Sequence, residues 1–424
     1  MKLMTSTTIL LAAVISAPAA AAGQMGYGAP APQPPVQTAV PPADAQQQAA
    51  RGPKMTVSSK ASKAIMELQA AVKANDTANI PAKIAAAQAV AQTKDDRYAI
   101  AQLQLQAAVA AKNNAAAAQA IDAVAASGFL PSDKVAGLYN AVGAQLYNAK
   151  QYDLAANAFQ KAAALNPQDP EPVKFLAEAL NSQGKGAEGA AALQKALQMS
   201  MAAGKKPDEA LYKRAVGMAY EAKSPNAVEL AREWLAAYPG PDSWNNALAV
   251  YRNLDRPDPN SLIDVLRLGR ATNSLEGVGD YHAYAYEAAN ENNFGEAKAV
   301  IAEGLASGKI KASDPIVQEI QGVLKSKPTP TAADLATAEK GAREPQAFLR
   351  VGDRYYGAGN FAKAAELYKE AMDKGADKNL AGLRLGEALA RSGDKAGATA
   401  ALNAVSGPMA DIAKFWLVYV QRSA

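Results

Sequence analysis

Cysteine is absent from the 424 residues, and histidine occurs once, as His282. Without thiols there is no disulfide, no thiolate metal site and no cysteine nucleophile. No acylated cysteine can anchor the chain as a lipoprotein. A histidine-based triad would have to use His282, and a zinc site would be built almost wholly from carboxylates. Aromatic residues are scarce at 6%, although hydrophobic residues make up 49%. The difference is largely alanine, a strong helix former that buries little area per residue. Helices packed closely on small-residue seams follow. An excess of one charge is missing too: 44 Lys and Arg stand against 40 Asp and Glu, a net charge of +4. The longest basic run is a pair, as at Lys205-Lys206. Nucleic acid wants a clustered basic face, so no nucleic-acid partner is expected.

What is present begins with a leader. Lys2 precedes an apolar run from Ile9 to Ile15, and small residues follow in an A-x-A pattern at Ala20–Ala22. Residues 1–22 read as a secretory signal peptide, cleaved near Ala22-Gly23. The run is too short to span a bilayer comfortably, and no later segment has a long enough uncharged apolar run. The expected destination is the bacterial periplasm, with no transmembrane segment in the mature chain. Residues 23–55 are rich in Pro, Gln, Gly and Ala and lack any apolar period, so they read as a disordered linker.

Helical patterns fill residues 56–424. Caps are expected at Ser313, before "DPIVQEI", and at Thr331, before "AADLATA". No stretch alternates as a strand would. Over 136–169 the spacing runs Tyr139, Val142, Gly143, Leu146, Lys150, Tyr152, Ala155, Phe159, Ala162, Pro167. Small residues at Gly143 and Ala155 let two helices approach closely. Leu146, Tyr152 and Phe159 fill the space between them, and Pro167 stops the second helix. The pattern returns at 345–378 with Val351, Gly352, Tyr355, Gly359, Phe361, Ala364 and Tyr368. Further copies read at 170–203, 210–240 (Val216, Gly217, Tyr220, Trp234), 278–308 and up to 406. Helical pairs at 57–94, 97–127, 241–276 and 309–344 match loosely. A terminal segment, 408–422, reads as a capping helix through Ile412, Phe415, Trp416 and Tyr419.

This pattern resembles the tetratricopeptide repeat (TPR), two antiparallel helices in about 34 residues. The resemblance implies an all-α, right-handed α-solenoid with a concave groove that binds protein. It also implies which residues face the groove. In the last two repeats these include Leu349, Asp353 and Tyr356, then Leu380, Leu383, Glu387 and Arg391, with Leu417 from the capping helix. Leu349, Tyr356, Leu380, Leu383 and Leu417 are expected to form an open apolar stripe for a partner helix, edged by Asp353, Glu387 and Arg391. Some TPR domains clamp a partner's C-terminal carboxylate with Lys and Asn. Here the matching positions are Asn140 and Ala144, so the cation is missing and that activity is not carried over.

Sharper chemistry finds little support. "GAGNFA" at Gly357–Ala362 fits a dinucleotide fingerprint, but that motif needs a preceding strand, and a helix precedes it here. No cofactor is expected. Glycan-cleaving envelope enzymes with a helical superhelix use a Glu-Ser pair, and no Glu in this chain is followed by Ser. His282 lies beside Tyr286, one turn on, and reads as a surface residue with a possible partner contact. The expectation is a non-catalytic scaffold or adaptor of the cell envelope. The alternatives are an accessory subunit of a polysaccharide or secretion machine that touches glycan and, third, a glycan-cleaving enzyme.

Overall fold

The computed structural model describes residues 55–254 and 261–422, and every regular element among them is a helix. Residues 1–22, read as the signal peptide, lie outside the described residues, as does all of the 23–55 linker except Met55. No described helix is long and apolar enough to cross a membrane. The chain divides into two compact units, with the boundary between Gly184 and Lys185.

The first unit contains α1 (Ser59–Lys73), α2 (Ile80–Val90), α3 (Lys94–Ala110), α4 (Asn114–Ser127), α5 (Ser132–Asn148), α6 (Tyr152–Leu165) and α7 (Glu171–Ser182). The second begins with α8 (Gly186–Ala202), α9 (Glu209–Glu221), α10 (Ala227–Ala237), α11 (Pro241–Leu254), α12 (Leu262–Ala271), α13 (Gly277–Asn290) and α14 (Phe294–Ala306). It continues through α15 (Pro315–Lys325), α16 (Ala332–Gly341), α17 (Pro345–Gly357), α18 (Phe361–Asp373), α19 (Lys378–Ser392), α20 (Lys395–Asn403) and α21 (Ala410–Arg422). Consecutive helices pack as pairs in both units, which is the TPR-like arrangement. The two helices expected as the 170–203 repeat, α7 and α8, fall on opposite sides of the unit boundary.

One turn recurs within the pairs. After α3, α5, α9, α13, α17 and α19, one residue takes a left-handed conformation: Lys112, Lys150, Lys223, Asn292, Gly359 and Gly393. The next amide then reaches back to the carbonyl five positions earlier. Gln151 N donates to Leu146 O at 2.9 Å, and Asn360 N donates to Tyr355 O at 2.9 Å. This 6→1 bond satisfies a carbonyl that the helix end would leave unpaired, and it reverses the chain.

Small residues set the approach of the paired helices. A Cβ on Gly143 would stand 2.7 Å from the Phe159 ring, and one on Gly352 would stand 2.7 Å from the Tyr368 ring. Gly386 meets Leu402 in the same way. Each glycine lies sixteen positions before the side chain it admits. Phe159, Tyr368 and Leu402 are buried, and filling each space stabilises the pair by roughly 1.5–3 kcal/mol. The 210–240 repeat departs from the expected register. Gly217 faces open space and Tyr220 is exposed, while Ala215, Met218 and Ala219 are buried. The connection after α9 takes five residues, 222–226, against three after α5, and Trp234 does not sit over Gly217. The cap expected at Ser313 falls one residue later, on Asp314, whose side chain accepts from Ile316 N. Thr331 caps α16 as expected, in a capping box with Asp334.

Candidate functional site

The stripe expected at the C-terminal repeats is not on the surface. Leu349 is 2% exposed, Tyr356 3% and Leu383 0%; Asp353 and Glu387 are equally buried. Leu380, Arg391 and Leu417 are half-buried. Leu349 packs in a cluster with Leu335 of α16 and Phe348. Arg267 of α12 lies over the Tyr356 ring, 4.4 Å from its centroid. The capping helix α21 packs on α20 as expected, but it also packs on α10, α12 and α19. Ile412, Phe415 and Trp416 are all buried. Arg232 of α10 pairs with Asp411 at 2.5 Å, across 179 positions of sequence. Helices from earlier in the unit therefore fill the face that the repeat pattern alone leaves open. The eight residues expected to bind a partner are mostly internal packing and ion-pair residues.

Asp353 and Glu387 belong instead to a buried charged cluster. Arg267 grips Glu296 of α14 with two bonds, Nε to Oε1 at 3.0 Å and Nη2 to Oε2 at 2.9 Å. Its Nη1 reaches Asp264 at 3.3 Å and Asp353 at 3.2 Å. Arg384 of α19 donates to Asp353 at 2.7 Å, to Asp264 at 3.3 Å and to Glu291 at 3.0 Å. The Tyr284 hydroxyl donates to Glu296 at 2.7 Å, and the Tyr368 hydroxyl donates to Asp353 at 2.8 Å. Asn293 donates to Glu296 at 2.5 Å and to the Asp353 carbonyl at 2.8 Å. Gly357 makes room for this, because a Cβ there would meet Glu296 Cβ at 2.7 Å. Burial pushes Asp264 up to about 6, against the pull of Arg384 and Arg267. Burial also pushes Glu387 well above the usual carboxylate range; Asp264 adds to this and the two arginines oppose it. None of these residues stands out in the sequence as a cluster, because they come from six helices and one turn. An Arg within the apolar run "LIDVLRLG" was the one available signal.

An open apolar site lies in the first unit. Between α3, α4 and α5 a cleft of about 220 Å³ is lined by Leu105, Val109, Ile121, Leu138 and Val142. Gln106 and Gln145 are the polar groups lining it, and no lining residue is charged. Its origin is the alanine content. Ala110, Ala117 and Ala141 also line it, and they are too short to close the gap while α4 packs on both α3 and α5. Val109 and Leu105 are half-buried and Ala110 is exposed, so the cleft opens to solvent. In the sequence, 97–127 matches the repeat loosely and 136–169 matches it well, and neither pattern marks the cleft between them. His282 is half-buried and stacks on the exposed Tyr286, with ring centroids 6.0 Å apart.

No family model matches the chain, and no curated protein matches it. Solved structures do. One is described as a functional characterisation of Pseudomonas aeruginosa pilF, at 13% identity and a TM-score of 0.24, covering 62% of this chain and 97% of that one. A second is a tetratricopeptide repeat protein from Parabacteroides merdae, at 11% identity and a TM-score of 0.25, covering 69% and 99%. A third is YrrB, described as a TPR protein with an unusual peptide-binding site, at 21% identity and a TM-score of 0.23, covering 53% and 96%. At these scores the fold rests on the helix pairs and turns already described.

Proposed function

We propose that the chain is a non-catalytic scaffold of the bacterial periplasm that receives an apolar segment of another protein in the cleft between α3 and α5. Stacked helix pairs offer extended surfaces for partners. The observation that carries the reading is the cleft itself: apolar walls, neutral amides beside them and no charged lining residue. Such a lining desolvates a large aliphatic or aromatic side chain at little cost and penalises a charged one. The two glutamines can hydrogen-bond the backbone of the segment that carries it. The periplasmic setting rests on Lys2, the Ile9–Ile15 run and the Ala20–Ala22 motif.

Photo-cross-linking tests the site. A photoreactive residue placed at Ala110, which lines the cleft and is exposed, should capture a discrete partner in the cell envelope. Ala141→Trp, which fills the cleft, should abolish that adduct while the helical content stays unchanged. An adduct that survives Ala141→Trp would move the binding site elsewhere. N-terminal sequencing of the protein from its host should begin near Gly23, and a start at Met1 would remove the periplasmic assignment.

A further inference from the structure

The charged cluster of the second unit is out of balance. Among the described residues, Asp264, Glu296, Asp353 and Glu387 are buried, and Arg267 and Arg384 are the cations buried with them. Glu291, half-buried at the edge, adds a fifth carboxyl group. The donors are distributed unevenly. Glu296 accepts from Arg267, Tyr284 and Asn293, and Asp353 accepts from both arginines and from Tyr368. By contrast, no described residue of the protein donates to either oxygen of Glu387, or to Oδ2 of Asp264. A buried carboxylate with no donor is among the costlier groups a protein can hold, and a proton is the simplest relief.

The groups that face Glu387 come from three helices. They are Asp264 and Arg267 on α12, Asp353 and Tyr356 on α17, and Arg384 on its own α19. Behind these stand Glu296 on α14, Tyr284 on α13, Tyr368 on α18 and Glu291 after α13. The Tyr356 hydroxyl is also buried without a partner, so it supplies no compensating bond.

We propose that Glu387 carries a proton in the folded protein, so that the docking of α12 against α17 and α19 is proton-linked and tightens as the solution is acidified. A carboxyl group raised by folding stabilises the folded state fully below its unfolded value. It loses that contribution as pH rises through its folded value. Asp264 and Glu387 are both raised, so the docking is strongest near pH 4 to 5 and weakens through about 6 and above. Glu287, raised by burial and by Glu291, moves in the same direction, so a variant of Glu387 is needed to separate its own share.

The test uses the full chain. Thermal melts of the wild type between pH 5 and pH 8 should show the melting temperature of the second unit falling as pH rises. Hydrogen exchange of Leu262–Ala271, corrected for intrinsic rates, should lose up to about tenfold in protection per pH unit for each proton linked to folding. Glu387→Gln keeps the shape and removes the titrating group. It should raise the melting temperature at pH 8 and flatten the slope. Infrared difference spectra provide a readout that does not depend on the variant's folding. The wild type at pH 7 should show the carbonyl band of a protonated, buried carboxyl group. A wild-type stability that is flat or rises from pH 5 to pH 8 would overturn the proposal. So would a Glu387→Gln variant that keeps the wild-type slope, or the absence of the protonated-carboxyl band at pH 7.

Discussion

Gly143 and Gly217 hold the same place in the repeat pattern and meet different surroundings. At Gly143 a Cβ would stand 2.7 Å from Cε1 of Phe159; at Gly217 there is nothing within 4 Å. Alanine is favoured over glycine in a helix by roughly 0.5–1 kcal/mol. At Gly217 that preference is unopposed, so Gly217→Ala should stabilise the second unit by about that amount. At Gly143 the ring of Phe159 is buried and cannot withdraw. Overpacking of this kind costs roughly 1–3 kcal/mol, so Gly143→Ala should destabilise the first unit on balance. Urea unfolding of the two variants gives the comparison, and equal shifts of the same sign would mean that the small position is not set by close packing. The sequence alone distinguishes the two glycines only through the length of the turn that follows. A spacing of sixteen to a large residue holds at Gly143 and fails at Gly217.

Elements are held at their ends by side chains that local patterns reveal only in part. Thr331 caps α16 in a motif four residues wide, and such motifs are readable directly. Asp96 shows the limit. Its cap on α3 is local, through Thr93, but the same carboxylate also accepts from Ser58 N at 2.8 Å and Ser58 Oγ at 2.9 Å, 38 positions away. Gln92 N adds a bond at 2.9 Å. One buried side chain thus fastens the start of α1 to the start of α3. Burial opposes its ionisation, yet the backbone donors of Gln92, Ser58 and Thr93 hold it well below the usual carboxylate range. Asp96→Ala leaves these donors without an acceptor, at about 1–3 kcal/mol for each that stays buried. The expected result is loss of hydrogen-exchange protection in Ser59–Lys73, and full protection in the variant would show that the fastening is dispensable. Helix existence, pairing and most turns were legible because they repeat within about 34 residues. The burial of Leu349, Tyr356 and Leu383 was not, because the groups on that face include Arg267, 82 or more positions earlier, which no local period encodes.

At the scale of the whole molecule, Asp96 in the first unit and Asp264 and Glu387 in the second are buried carboxyl groups shifted in opposite senses. In the first unit Asp96 is lowered by folding. Its contribution is complete above the unfolded value near 4 and is lost as pH falls below it. In the second unit Asp264 and Glu387 are raised, and their contribution is lost as pH rises through about 6 and beyond. Between pH 5 and pH 8 Asp96 is ionised whether its unit is folded or not, so it adds no slope there. The single histidine, His282, lies in the second unit, so no imidazole titrates in the first over that range. Hydrogen exchange read separately over residues 59–182 and 262–422 should therefore separate the units. From pH 8 to pH 5 the second unit should gain protection while the first stays level. Below about pH 4 the first should lose protection, by up to about tenfold per pH unit for Asp96 alone. A common pH profile in both regions would mean that the two carboxyl environments do not control stability, or that the units unfold as one.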